Sequence, residues 1–308
     1  MISNSNFLIR KLNSILQQSL EASEITITAE VMPPRGGDPS KTIAAAKSLS
    51  GFVHAINVTD GSRAIMKMHS LAVCKLLLES NIEPILQIAC RDKNRIALQA
   101  EILGAHALGI KNVLCLTGDP VRVGDQPNAR PVHDYESVQL LKQITSLNLG
   151  EDPVSGLLPN GPTKLFLGTA ADPNSTNFKS LRKRLERKKN AGARFIQTQM
   201  VMDPKTLEKF CKEIAEPLEL PVLAGVFLLK SAKNAHFINK VVPGASIPMS
   251  ILNRLEQAKE QDLEGITIAA EQARSFVGIA KGIHIMAIKA EHNIPAILNQ
   301  AKISLPSQ

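Results

Sequence analysis

Aromatic side chains are scarce in this 308-residue chain: Trp is absent, Tyr occurs once, and aromatics make up 3% of residues. Proteins that grip single-stranded nucleic acid stack its bases on aromatic platforms, so the composition argues against that partner. It also requires an aliphatic core. The four cysteines, Cys74, Cys90, Cys115 and Cys211, lie far apart, form no C-x-x-C and have no histidine at metal-ligand spacing. Neither a metal site nor disulfides are expected, and a reducing, cytoplasmic setting is. No apolar run is long enough to span a bilayer. There is no G-x-G-x-x-G and no G-x-x-x-x-G-K-[ST] turn, which removes the Rossmann and P-loop ways of holding a nucleotide. No Ser or Cys sits in a nucleophile elbow.

What the chain does have is a mild basic excess and a regular alternation. Thirty-six Lys and Arg against 28 Asp and Glu give a net charge of +8, spread along the sequence. That suits solubility and anionic small molecules or an acidic protein, and is no nucleic-acid footprint. Short β-branched runs alternate with longer helical patterns. The runs are "EITITAEV" (24–31), "FVHAINV" (52–58), "EPILQIA" (83–89), "NVLCL" (112–116), "TKLFLGTA" (163–170), "RFIQTQ" (194–199), "PVLAGVF" (221–227) and "GIHIMAI" (282–288). Continuous apolar runs suit strands covered on both faces. Eight strands, each followed by a helix, predict an α/β fold of the (β/α)8 barrel type, with a doubly wound sheet as the rival. A single domain over 1–308 is expected. Its additions are an N-terminal helix within 1–23, an extra helix over 245–261 before the last βα unit, and a long Gly- and Pro-rich surface loop, 149–163, over the barrel. The N-terminal "NFLIRKLNSILQQSL" reads as a packed helix rather than a targeting peptide, because it lacks an apolar signal core.

In such a barrel, function sits where the strands end. The polar residues there are Glu30, Thr59 with Asp60, Gln87, Thr117 with Asp119, Asp172, Gln199 and Lys230. Glu30 lies in "ITAEVMPPR", a run with no other acid; an apolar setting disfavours a charged carboxylate and favours a general acid. The two prolines stiffen the turn that aims it. On these residues alone, a strand end reaching water and a catalytic acid are equally good accounts. In "CLTGDP", Gly118 permits close backbone approach to a ligand, and a tight βα turn explains it as well. The helix "FKSLRKRLERKKNAG" reads as a solvated face or as a clamp for a diphosphate. Lys230 is either a solvated lysine or the nucleophile of a Schiff-base lyase.

Taken together, "AEVMPPR", "VTDGSRA", "CLTGDP" and "NAGARFIQTQ", in this order, resemble the methylenetetrahydrofolate reductase family over residues 24–290. The resemblance implies a (β/α)8 barrel holding FAD at its mouth. It implies flavin-dependent reduction of 5,10-methylenetetrahydrofolate to 5-methyltetrahydrofolate by hydride transfer. Glu30 matches the general acid, Asp119 the acid between flavin and pterin, and Gln199 the folate-binding glutamine. Thr59, Gln87, Thr117, Gly118, Asp119, Asp134, Arg187 and Lys188 fall at positions that contact the flavin, the last two near its diphosphate. Gln87, Thr117 and Arg184 replace the His, Arg and Asn of the better-known bacterial pattern, and "GTAADP" replaces a segment containing Tyr. Folate is the implied substrate, and NAD(P)H or an acidic carrier such as ferredoxin the donor. Membrane partners are not expected, a homo-oligomer is compatible, and inhibition by S-adenosylmethionine through a C-terminal region is not expected. The alternatives are a folate-binding partner subunit without activity of its own and the lyase using Lys230.

Overall fold

The computed structural model describes residues 13–158, 160–242 and 245–306. The apolar runs form strands covered on both faces: β1 (Thr26–Val31), β2 (Ala55–Val58), β3 (Pro84–Ala89) and β4 (Asn112–Leu116). A small hairpin follows, β5 (Glu151–Asp152) with β6 (Gly156–Leu157), then β7 (Phe166–Ala171), β8 (Phe195–Met200), β9 (Val222–Phe227) and β10 (Gly282–Met286). The eight strands other than the hairpin are parallel, and β1 pairs with both β2 and β10, so the sheet closes into a barrel. Closure rules out the doubly wound rival.

The helices are α1 (Ile15–Glu21), α2 (Ser40–Lys47), α3 (Ser70–Glu79), α4 (Arg95–Ala107), α5 (Ser137–Asn148), α6 (Phe178–Asn190), α7 (Pro204–Phe210), α8 (Ala232–Val241), α9 (Met249–Gln257), α10 (Gln261–Phe276) and α11 (Ile294–Ala301). Asn94, Asn177, Asp203 and Ser231 cap α4, α6, α7 and α8 by accepting a backbone N–H, as short polar N-cap side chains do. The main core lies between strands and helices and is largely aliphatic. The extra helix α9 packs Leu252 and Leu255 into a separate cluster with Met200, Leu229 and Ile268. Helix α10 begins at Gln261, eight residues before the pattern "AAEQARSF" announces it.

Inside the barrel the strands are layered. At the floor, Ala55, Ile85, Leu114, Phe195 and Leu223 pack with Leu16 and Leu20 of α1, which plugs the N-terminal end. Ile15 and Leu16 donate their backbone N–H to the Glu83 carboxylate at 2.7 and 2.8 Å, which fixes the plug. Gly168 leaves the space that the Phe195 ring fills; a Cβ there would stand 2.1 Å from the ring. The rest of the expected N-terminal helix lies outside the described residues. Above the floor the interior turns polar. Gln87 donates to Asn57 (3.2 Å), and Asn57 donates to Gln197 (3.0 Å), so buried amides satisfy one another across the barrel.

The 149–163 segment does not arch over the mouth. It joins α5 to β7 and therefore starts at the barrel's N-terminal end, and it folds as the β5–β6 hairpin against the outer helices. Asp152 accepts from Gln99 of α4 (2.8 Å) and from Gln143 of α5 (3.1 Å).

Candidate active site

Strand alternation puts Thr28 and Glu30 on the inner wall, and register sets Thr28 beside His284 of β10 and Glu30 beside Asn57. Glu30 leaves 13% of its side chain exposed, and its Oε2 lies 3.7 Å from Nε2 of His284, whose side chain is 1% exposed. Nδ1 of His284 is 3.0 Å from the Thr28 hydroxyl, which can pass its own hydrogen to the Ile283 carbonyl at 3.4 Å. Nε2 is buried with no hydrogen-bond partner. In the tautomer in which Nδ1 donates to Thr28, the Nε2 lone pair faces Glu30. Lys67 completes the surroundings: it donates to Ser62 (2.7 Å) and to the Met32 sulfur (3.3 Å). Burial pushes its ammonium below the usual lysine range, against the attraction of Glu30, and repulsion from Arg35, Arg63 and Lys289 adds to that push.

Asp119 is brought to the mouth but turns to a different partner. Its Oδ2 accepts the backbone N–H of Arg63 at 2.6 Å. Gly61, Arg63 and Ala64 all have left-handed φ (50°, 58°, 53°), a strained path for the last two. Asp125 accepts from Met66 N–H of the same loop (3.0 Å) and from Arg35 of the β1–α2 connection (2.6 Å). Arg91 lies beneath, bonding the carbonyls of Gly61 (3.2 Å) and Asp119 (3.3 Å). Gly118 has φ +96°, and a Cβ there would meet the Arg91 Cβ at 2.9 Å, so the glycine makes room for Arg91. The Arg63 guanidinium rests 6.0 Å from the ring of Phe237 on α8.

Gln199 is exposed, at a bulge between Gln197 and Met200. The Thr198 hydroxyl fills the bulge, accepting from Gly225 N–H (2.9 Å) and donating to the Gln199 carbonyl (2.7 Å). Bulges re-aim side chains in this way beside active sites. Lys230 is exposed and donates to the Ile288 carbonyl (3.0 Å), without the desolvation that activates a Schiff-base lysine. Among the described residues no cluster of His, Cys, Asp or Glu is placed to hold a metal ion, and no helix is long and apolar enough to cross a membrane.

A sequence model of the family described as "Methylenetetrahydrofolate reductase" matches residues 15–302. The chain belongs to the methylenetetrahydrofolate reductase family. It is similar to the "Probable methylenetetrahydrofolate reductase (NADPH)" of Caenorhabditis elegans, with 24% identity over 226 residues, 70% of this chain and 32% of that one. To "Methylenetetrahydrofolate reductase 2" of Schizosaccharomyces pombe it is 22% identical over 296 residues, 85% of this chain and 44% of the other. The chain thus covers less than half the length of these curated relatives. Among solved structures, a Clostridium thermocellum protein described as binding two copies of 5-methyl-5,6,7,8-tetrahydrofolic acid shares the fold. Its TM-score is 0.67 at 16% identity, over 94% of this chain and 100% of that one.

The family positions expected to contact flavin fall into two groups. Thr59 is 4% exposed, and its hydroxyl is buried without a partner. Lys188 is 7% exposed and donates to the Ala170 carbonyl near the end of β7 (2.9 Å). Burial first, then Arg184, pushes its ammonium down to about 8, with no carboxylate beside it. Arg187 is exposed. An unsatisfied hydroxyl and a buried cation without a counter-ion fit a group carrying hydroxyls and a diphosphate. The others are already engaged. Asp134 takes three bonds from Arg95 (2.7–2.9 Å), which hold its carboxyl at about 2. Gln87 belongs to the barrel amide chain, and Thr117 is exposed beside Ser137 (3.4 Å).

Sequence reasoning missed His284, Thr28, Lys67 and Arg91. His284 had a usable signal: it is an inward polar residue in the otherwise apolar "GIHIM", the same anomaly that marks Glu30 in β1.

Proposed function

We propose that the protein reduces 5,10-methylenetetrahydrofolate to 5-methyltetrahydrofolate, with Glu30 as the general acid. The observation that carries this is the Glu30–His284–Thr28 chain on the inner wall of a barrel of this family: a carboxyl group beside an imidazole nitrogen that has no other partner. A barrel that merely binds folate has no use for a proton path.

The product carries its methyl on N5, so the bond from the bridging carbon to N10 must break. Glu30 donates its proton to N10, which leaves with the bond's electron pair, and the bridging carbon is left as an iminium on N5. The Asp119 carboxylate offsets that positive charge once the substrate takes the place of the Arg63 N–H, and the bulge presents the Gln199 amide to the pterin. His284, whose Nε2 faces Glu30, serves as its proton exchange partner. A bound FAD, once reduced by the electron donor, would supply the hydride that takes the iminium carbon to methyl. Thr59, Arg187 and Lys188 are the residues that would hold it. For the electron donor the reading is NAD(P)H, with an acidic carrier such as ferredoxin as the contender.

The test begins with the purified protein: identification of its bound flavin, reduction by each donor, and reoxidation by methylenetetrahydrofolate. A folded protein that takes up no flavin, or whose reduced flavin ignores the folate, overturns the proposal.

A further inference from the structure

Arg91 sits in the turn Cys90–Asp92 that follows β3, and its side chain is 4% exposed. A buried guanidinium is unfavourable unless its donors are met, and here three different segments meet them. Nε donates to one oxygen of the Asp92 carboxylate (2.8 Å) and Nη2 to the other. Nη2 also reaches the Gly61 carbonyl in the β2–α3 loop (3.2 Å), and Nη1 the Asp119 carbonyl in the β4–α5 loop (3.3 Å). The Arg91 carbonyl accepts from Val132 N–H, further along the β4–α5 loop (2.7 Å). Both loops are shaped to admit this side chain. A Cβ on Gly61 would stand 2.6 Å from Nη2, and one on Gly118 would stand 2.9 Å from the Arg91 Cβ, so a glycine clears the arginine on either side. An arginine that served its own turn would need only Asp92.

We propose that Arg91 is a positioning residue for Asp119: it ties the Asp119 backbone to the β2–α3 loop, so that the carboxylate keeps its place when the pterin arrives. The proposal rests on the role given to Asp119 above. Asp119 is tied to the β2–α3 loop twice. Its Oδ2 accepts Arg63 N–H (2.6 Å), and its carbonyl shares the Arg91 guanidinium with Gly61. The first tie occupies the carboxylate oxygen that the substrate needs, and it is given up on binding. The second uses only main-chain oxygens and persists through the reaction. Lysine is no substitute at this position, because an ammonium on a flexible stem lacks the rigid fork that holds two carbonyls and a carboxylate together.

The test compares flavin-loaded parent, Arg91→Ala and Arg91→Lys in three measurements: flavin reduction by the donor, reoxidation by methylenetetrahydrofolate, and calorimetric binding of 5-methyltetrahydrofolate. In Arg91→Ala, reduction stays near the parent rate. Reoxidation slows by up to about 10²-fold, the effect of a catalytic group misplaced by about 1 Å. Binding of 5-methyltetrahydrofolate weakens by up to about tenfold, because a loosened Asp119 must be ordered on binding. Arg91→Lys shows the same losses, and it carries the test if Arg91→Ala does not fold. Guanidinium chloride at non-denaturing concentration restores part of the reoxidation rate of Arg91→Ala and leaves the parent unchanged, while sodium chloride at the same ionic strength restores none. A variant that is less stable but binds and reoxidises like the parent overturns the proposal, and so does one whose two half-reactions fall together. A parent that binds no folate, and whose reduced flavin ignores it, instead overturns the reading of the site itself, and this proposal with it.

Discussion

Glu30→Gln keeps the shape of the side chain and removes its transferable proton. With Glu30 as the acid, the folate half-reaction falls by about 10²–10⁴-fold while flavin reduction stays near the parent rate; stopped-flow measurement of the two half-reactions separates them. His284→Asn retains a group that can bond Thr28 and deletes the nitrogen facing Glu30. It should lower kcat by less than Glu30→Gln, with folate KM little changed, and displace the alkaline limb of the pH–rate profile, where a general acid loses its proton. A parent-like profile would remove His284 from the mechanism. Lys188 gives a stability prediction whose sign follows from burial. Its ammonium is pushed from 10.5 to about 8, so below pH 8 it is charged in both states and its burial penalty is constant. Between about 8 and 10.5 the unfolded chain binds more proton, so stability rises with pH, by about 3 kcal/mol in all. Burial raises the thiols of Cys90 and Cys211 to about 12, and these groups work in the opposite sense above pH 9. The rise therefore shows in the difference between the parent and Lys188→Met, followed by urea unfolding across that range; a flat difference contradicts the buried ammonium. At this scale, the sequence made Glu30, Asp119 and Gln199 visible because polar residues at strand ends stand out. It hid His284, whose role depends on the register between the first and last strands, set 256 residues apart.

The eight barrel strands were legible as elements because burial on both faces leaves unbroken apolar runs, and period and length together distinguish these from helices. The β5–β6 hairpin was not, since two-residue strands have no period to read. The role of α1 was hidden for a different reason: amphipathic spacing announces a helix but not the surface it covers. The floor of the barrel depends on it. Leu16 is fully buried against Ala55, Ile85 and Phe195, so Leu16→Ala leaves a cavity at the centre of that layer and should cost about 2–5 kcal/mol. The urea midpoint should fall while the slope holds. An unchanged midpoint would mean that α1 is not docked in solution. The same logic explains the long segment before β7, where Gly and Pro announced a loop but Asp152, bridging α4 and α5, decided that it folds back on the helices.

For the whole molecule, the net charge of +8 is diffuse in the sequence, yet folding gathers Arg35, Arg63 and Lys289 near Lys67, the lysine that Glu30 attracts at the mouth. Summed fields of this kind raise the local concentration of an anionic ligand before any contact forms. A folate carries its negative charge on the glutamyl tail, so each added γ-glutamate should strengthen the attraction. Raising ionic strength from about 0.01 to 0.15 M shortens the screening length from roughly 30 to 8 Å, which leaves contact pairs nearly intact and removes the long-range pull. Accordingly kcat/KM should fall over that range, and more steeply for a triglutamyl than for a monoglutamyl substrate, with kcat almost constant for both. Charge reversal at an exposed rim residue, Lys289→Glu, should flatten the difference between the two substrates without touching Glu30 or His284. Equal salt slopes for the two tails would show that the mouth does not use its basic rim to collect substrate, and the charge excess would then serve solubility alone.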